Sequence, residues 1–151
     1  HASDYGVALT RVPAADATET IAAIVESPSV GAPLPWDDVT LPDDVTTDPT
    51  PAELDAAVTG VTAASLAVAD YGSLFLRARS DGTEPASLFP DLHVAVLRAA
   101  DIVPDMSAAF EWFGEQARAS RDSTGPSATA DMGELVKGAH GPKAVKVVVV
   151  E

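Results

Sequence analysis

The sequence predicts an α/β fold, a largely parallel open sheet with helices on both faces. Two observations lead there. Short segments of β-branched and apolar residues alternate along the chain with segments whose apolar residues recur at helical spacing. The 151 residues are 46% hydrophobic, and a chain of this length buries roughly 70% of the surface it exposes when unfolded, so one conventional core over residues 1–151 is expected.

Tyr5 to Arg11 (YGVALTR) reads as a strand bounded by Gly and Pro. A helix follows, capped by Asp16 with Glu19 three residues on, carrying Ala17, Ile21, Ile24 and Val25 on one face and stopped by Pro28. Residues 33–51 hold five prolines and five aspartates (Asp37, Asp38, Asp43, Asp44, Asp48) and read as a long solvated surface loop. Thr50-Pro51-Ala52-Glu53 is a capping box, opening a short helix to about Ala57.

Val58 to Asp70 is ambiguous between strand and helix. Ser73 to Arg79 reads as a strand closed by the Asp81-Gly82 turn, and Leu92 to Arg98 as another. Asp105 to about Arg118 is the clearest helix, with Met106, Ala109, Phe110, Phe113 and Ala117 in one apolar stripe. Gly125-Pro126-Ser127 leads into a short helix from about Thr129 to Lys137, ended by Gly138 and Pro142, and Ala144 to Val150 closes the fold as a strand.

Composition excludes several kinds of chemistry. There is no cysteine, so disulfides, thiol nucleophiles, thiolate-bound zinc and a self-contained iron–sulfur cluster are ruled out. With 23 Asp and Glu against 9 Lys and Arg, a formal charge of −14, nucleic acid and anionic membranes are poor partners. Abundant Asp, scarce Lys and only 5% aromatic residues fit a halophile's protein, because at molar salt the Debye length falls to about 3 Å and carboxylate repulsion is screened. Apolar runs such as Val147 to Val150 are far short of the ~20 residues that span a bilayer. The visible start, His1, is not followed by a charged segment and an apolar one, so a cytoplasmic location is expected.

Candidate chemistry concentrates in three places. Thr124 to Asp131 (TGPSATAD) is a Gly-Pro loop feeding a Ser/Thr-rich helix start, which suits an anion; the bland alternative is that Ser127 or Thr129 caps the helix. Asp70-Tyr71-Gly72-Ser73 reads from spacing alone as an ordinary glycine turn. His93 and His140 are the internal histidines, each able to act as acid, base or ligand and each equally suited to a structural hydrogen bond. They lack metal-ligand spacing, so no metal is expected. No Ser-His-Asp order can be specified among Ser73, Ser127, His93 and Asp131.

Val58 to Phe75 (VTGVTAASLAVADYGSLF), Leu88 to Val96 (LFPDLHVAV) and Gly125 to Pro142 (GPSATADMGELVKGAHGP), in that order, resemble the lactate-utilisation (LUD) domain family. The resemblance implies a fold of the NagB/RpiA/CoA-transferase-like type and a role in oxidising lactate to pyruvate. It implies work beside an iron–sulfur partner and an oxidoreductase subunit holding FAD or iron–sulfur clusters, with no cofactor bound by this chain. The family's motif residues fall on Gly72 and Ser73, on His93, on Gly125, Pro126, Ser127, Thr129, Ala130 and Asp131, and on His140, Gly141 and Pro142. His93 and Asp131 are the implied catalytic candidates, and Gly72, Ser73, Gly125, Pro126, Ser127, Thr129, His140 and Gly141 would bind a small carboxylate or acyl anion. The chain departs from the pattern at Ala128, where the family has Arg, and at Met132-Gly133 for Ile-Glu. Arginine is the natural bidentate partner of a carboxylate.

Three functions compete. The chain is a carboxylate-binding component of a lactate-oxidising assembly, or a scaffold that docks its redox subunits, or a stand-alone acyl or CoA transferase or isomerase with Glu84 or Glu134 as nucleophile. The last rests on fold analogy.

Overall fold

Six strands lie side by side, all parallel, in a computed structural model that describes residues 7–77, 80–119, 127–130 and 141–151. In chain order the elements are β1 (Ala8–Val12), α1 (Ala14–Ile24), β2 (Ser29–Gly31), β3 (Val45–Thr47), α2 (Pro51–Ala56), β4 (Thr59–Ala63), β5 (Leu66–Val68), β6 (Ser73–Arg77), α3 (Thr83–Leu88), β7 (Leu92–Arg98), β8 (Ile102–Val103), α4 (Met106–Ala119), β9 (Ser127–Ala130) and β10 (Ala144–Val150). The main sheet runs β1-β10-β7-β4-β2-β3.

The apolar runs of β7 and β10 follow from burial on both faces. Val61, Val94, Val96, Val148 and Val150 turn to one side, where Ala17 and Ile21 of α1 cover them. Ala95, Leu97, Val147 and Val149 turn to the other and meet Leu74 and Leu76 of β6. A buried valine stabilises the fold by about 1.5–3 kcal/mol and an exposed ion pair by at most about 1. The valines at 147–150, all at most 3% exposed, therefore outweigh surface pairs such as Lys143–Asp91.

A second sheet, ordered β8-β5-β6-β9, covers the β6 side. The β5–β6 hairpin turns at Gly72, in the left-handed conformation at φ 65°. The outer side of this sheet, through Leu66, Val68 and Phe75, packs against Ala109 and Phe113 of α4. Helix α3 shares the face with it and lies directly on β4. A Cβ on Gly60 would sit 1.7 Å from the carbonyl oxygen of Ala86, so glycine is required by close approach. Helices thus cover both faces as expected, although the second sheet was not legible in the sequence.

Several local expectations are corrected. Residues 33–51 are partly packed: Val39 and Val45 are core residues and β3 adds an edge strand, because isolated valines between prolines give no periodic signal. Asp16 lies inside the first turn of α1, which Pro13 precedes without any side-chain cap. The Thr50–Glu53 capping box is present, and the Thr50 N–H holds the Glu53 carboxyl below its usual range. Val58 to Asp70 resolves into β4 and β5. Phe110 is 68% exposed, and Trp112 joins Phe113 beneath α4 instead. Ser127–Ala130 is extended and pairs with β6, so no helix starts at Thr129.

Candidate functional site

The carboxyl ends of β2, β4 and β7, three neighbours in the main sheet, open onto a cleft of about 220 Å³. From β2 the chain moves outward to β3, whereas from β4 it goes on to β7 on the other side. The gap between β2 and β4 is therefore a topological switch point, the place where open parallel sheets bind ligands. Pro33, Pro35 and Trp36 leave β2 along one wall, and Ala63, Ala64 and Ser65 end β4 along another. Trp112 and Gln116 of α4, Thr83 at the start of α3, and Arg77, Asp81 and Asp101 complete it. Both of the chain's tryptophans line this cleft, in a protein only 5% aromatic.

The charged groups are held by different means. One Arg77 amino group donates to the Gln116 side-chain carbonyl at 3.2 Å. Asp81 Oδ1 accepts from the Thr83 N–H at 3.1 Å and its hydroxyl at 2.7 Å, which fixes the turn into α3. Asp101 ends the short helical turn after β7; burial pushes its carboxyl up, opposed by nearby Arg98. Arg98 lies with its guanidinium carbon 5.2 Å from the centre of the Trp36 ring and pairs with Asp38, whose carboxyl it holds below the usual range. The Trp36 wall is thereby pinned to the end of β7.

Among the described residues, the structure sets apart those singled out in the sequence. Ser73 and Ser127 do not converge: β6 and β9 pair antiparallel from Leu74–Ala130 to Arg77–Ser127. That register leaves Ser73 about 14 Å along the strand from Arg77, at roughly 3.4 Å per residue. The backbone of Ser127 instead stands beside cleft residue Arg77, and Thr129 is the ladder partner of Phe75. Ser73 is buried on the α4 side of the second sheet, sharing that side with its ladder partner Val68.

His93 is buried between the main sheet and its covering layer, where Nε2 shares a 2.8 Å hydrogen bond with Thr62 Oγ1. Burial lowers its pKa to about 4, so the ring is neutral near pH 7. It does not line the cleft. Gly141 sits just before β10, whose first residue Ala144 pairs with Leu92 at the opposite, amino-terminal edge of the sheet. Gly125, Pro126, Asp131 and His140 lie outside the described residues. Among the described residues no three His, Asp or Glu side chains converge to hold a metal, and no helix is long and apolar enough to cross a membrane.

Arg77, Asp101, Trp36 and Trp112 were missed because they are spread over 76 positions (112 minus 36) and brought together only by topology. The one usable signal was the scarcity of tryptophan.

Comparison with known proteins agrees with this architecture. Residues 40–150 match the LUD domain family. Lactate utilization protein C of Deinococcus radiodurans is 37% identical over a 161-residue alignment spanning 97% of this chain and 74% of that protein. A crystal structure of a DUF162 family protein, also from Deinococcus radiodurans, superposes with a TM-score of 0.78 at 32% identity, covering 99% of this chain and 91% of the other. With a family match over most of its length and a relative of this similarity, the chain belongs to the LUD domain family.

Proposed function

We propose that this chain is a component of a lactate-utilisation system and holds a small carboxylate or acyl anion in the cleft at the ends of β2, β4 and β7. The observation that carries the reading is Arg77. It lines the cleft, its guanidinium bonds the neutral amide of Gln116, which also lines the cleft, and it forms no ion pair among the described residues. An arginine so placed in an acidic protein is a ready partner for a carboxylate. The family's arginine is absent at position 128, but Arg77 stands directly across the ladder from Ser127, on the strand that pairs with the same segment. The name of the Deinococcus relative supports lactate chemistry. Electron-carrying centres, iron–sulfur or FAD, would belong to partner subunits, since this chain has no cysteine with which to hold a cluster.

Calorimetric titration with lactate and pyruvate tests the reading. Wild type binds at least one of them, and Arg77→Gln weakens binding about 10- to 100-fold, the equivalent of a charge-assisted hydrogen bond of 1.5–3 kcal/mol. Undiminished binding by Arg77→Gln counts against it.

A second reading, a scaffold that docks redox subunits without chemistry of its own, is favoured by the exposed rings of Tyr71, Phe89 and Phe110. A native complex that retains normal lactate oxidation with Arg77→Gln in place would point to scaffolding.

A further inference from the structure

We propose that Asp101 makes the cleft selective for 2-hydroxy acids over their 2-oxo counterparts, accepting a hydrogen bond from the ligand's hydroxyl while Arg77 holds its carboxylate. This rests on the reading that the cleft binds a small acid.

Two carboxylates line the cleft. Asp81 is committed, because one of its oxygens takes both the N–H and the hydroxyl of Thr83. Asp101 is different: it is half-buried, and among the described residues it accepts no hydrogen bond and forms no ion pair, either with Arg77, which also lines the cleft, or with Arg98 nearby. The cleft therefore keeps one cation and one strong acceptor uncoupled from each other. A 2-hydroxy acid presents the complement, a carboxylate to accept from Arg77 and, on the adjacent carbon, an O–H to donate to Asp101. A 2-oxo acid offers only lone pairs at that carbon and would set its carbonyl oxygen against the carboxylate. Sites that hydrogen-bond a ligand hydroxyl reject the analogue lacking it, because the protein's acceptor is desolvated without a partner.

The test titrates L-lactate, D-lactate, pyruvate and L-alanine into wild type, Asp101→Asn and Asp101→Ala, read by the fluorescence of the two cleft tryptophans. Wild type is expected to bind one lactate enantiomer at least about tenfold more tightly than pyruvate. Asparagine offers both a donor and an acceptor, so Asp101→Asn should bring the ratio close to one, and Asp101→Ala should lower lactate affinity more than pyruvate affinity. Equal wild-type affinities, or a ratio unchanged in both variants, would overturn the role of Asp101 and leave the carboxylate cleft standing. Tighter binding of alanine than of lactate would overturn the assignment to hydroxy acids. No binding of any acid by wild type would remove the cleft reading itself, and this inference with it.

Discussion

Thr62 Oγ1 and His93 Nε2 lie 2.8 Å apart on adjacent parallel strands, and neither residue is more than 3% exposed. The bond satisfies a polar ring in a largely apolar layer, where an unpartnered imidazole would cost about 1–3 kcal/mol. Protonating that ring means placing a charge inside the core, which is why its pKa falls from 6.5 to about 4.

The pH dependence of stability follows from that displacement. Well above pH 6.5 the ring is neutral in both folded and unfolded chains and costs nothing. As pH falls from 6.5 toward 4, the unfolded chain takes up a proton that the folded chain refuses, so stability is lost, by roughly 3 kcal/mol in total at 1.36 kcal/mol per pKa unit. Urea midpoints of wild type and His93→Gln at pH 7.5 and pH 4.5 check this. The variant should lose less stability between the two pH values, and an equal loss in both proteins would show that His93 is not the group responsible.

Replacing Gly60 by alanine should be among the most damaging small changes in the protein. The new methyl group would meet the backbone carbonyl of Ala86 at 1.7 Å, and a backbone atom cannot rotate away as a flexible side chain does. A loss of about 3 kcal/mol or more is expected, at or beyond the upper end of overpacking costs, measured by urea unfolding.

The two phenylalanines of α4 should behave oppositely. Phe113 packs edge-on against Phe75 at 4.9 Å and against Trp112 at 5.3 Å, so Phe113→Ala should cost about 2–3 kcal/mol. Phe110 is exposed, and Phe110→Ala should stay within about 0.5 kcal/mol. Thermal denaturation of both variants separates them, and equal losses would restore the stripe read from the sequence.

How far the sequence could be read depended on whether the signal was local. Strands β7 and β10 match their expected limits, Leu92 to Arg98 and Ala144 to Val150, because continuous apolar runs announce strands buried on both faces. The Thr50–Glu53 cap is equally local. Helix α3 is not legible in the sequence, since the Asp81-Gly82 pair signals a turn while Gly82, at φ 89°, also starts a helix. The cleft carries no spacing at all: Trp36, Ala64 and Asp101 meet because the sheet order β7-β4-β2 places three strand ends together, and Arg77 and Trp112 join them from β6 and α4, which pack on each other.

The acidic composition makes a salt response a further proposal. With a formal charge of −14, screening at molar KCl should raise the melting temperature by roughly 5 °C or more relative to low salt, the equivalent of about 1–2 kcal/mol for a domain of this size. Equal or higher stability at low salt would refute adaptation to a saline cytosol.

The most direct measurement is an NMR titration of the isotopically labelled protein with L-lactate. Progressive shifts should concentrate at the indole N–H groups of Trp36 and Trp112 and at the amides of Ala64, Ser65 and Arg77. Shifts confined instead to the Gly72–Ser73 turn or to the Gly141 end of the sheet would contradict a carboxylate site at the switch point, as would a spectrum that lactate leaves unchanged.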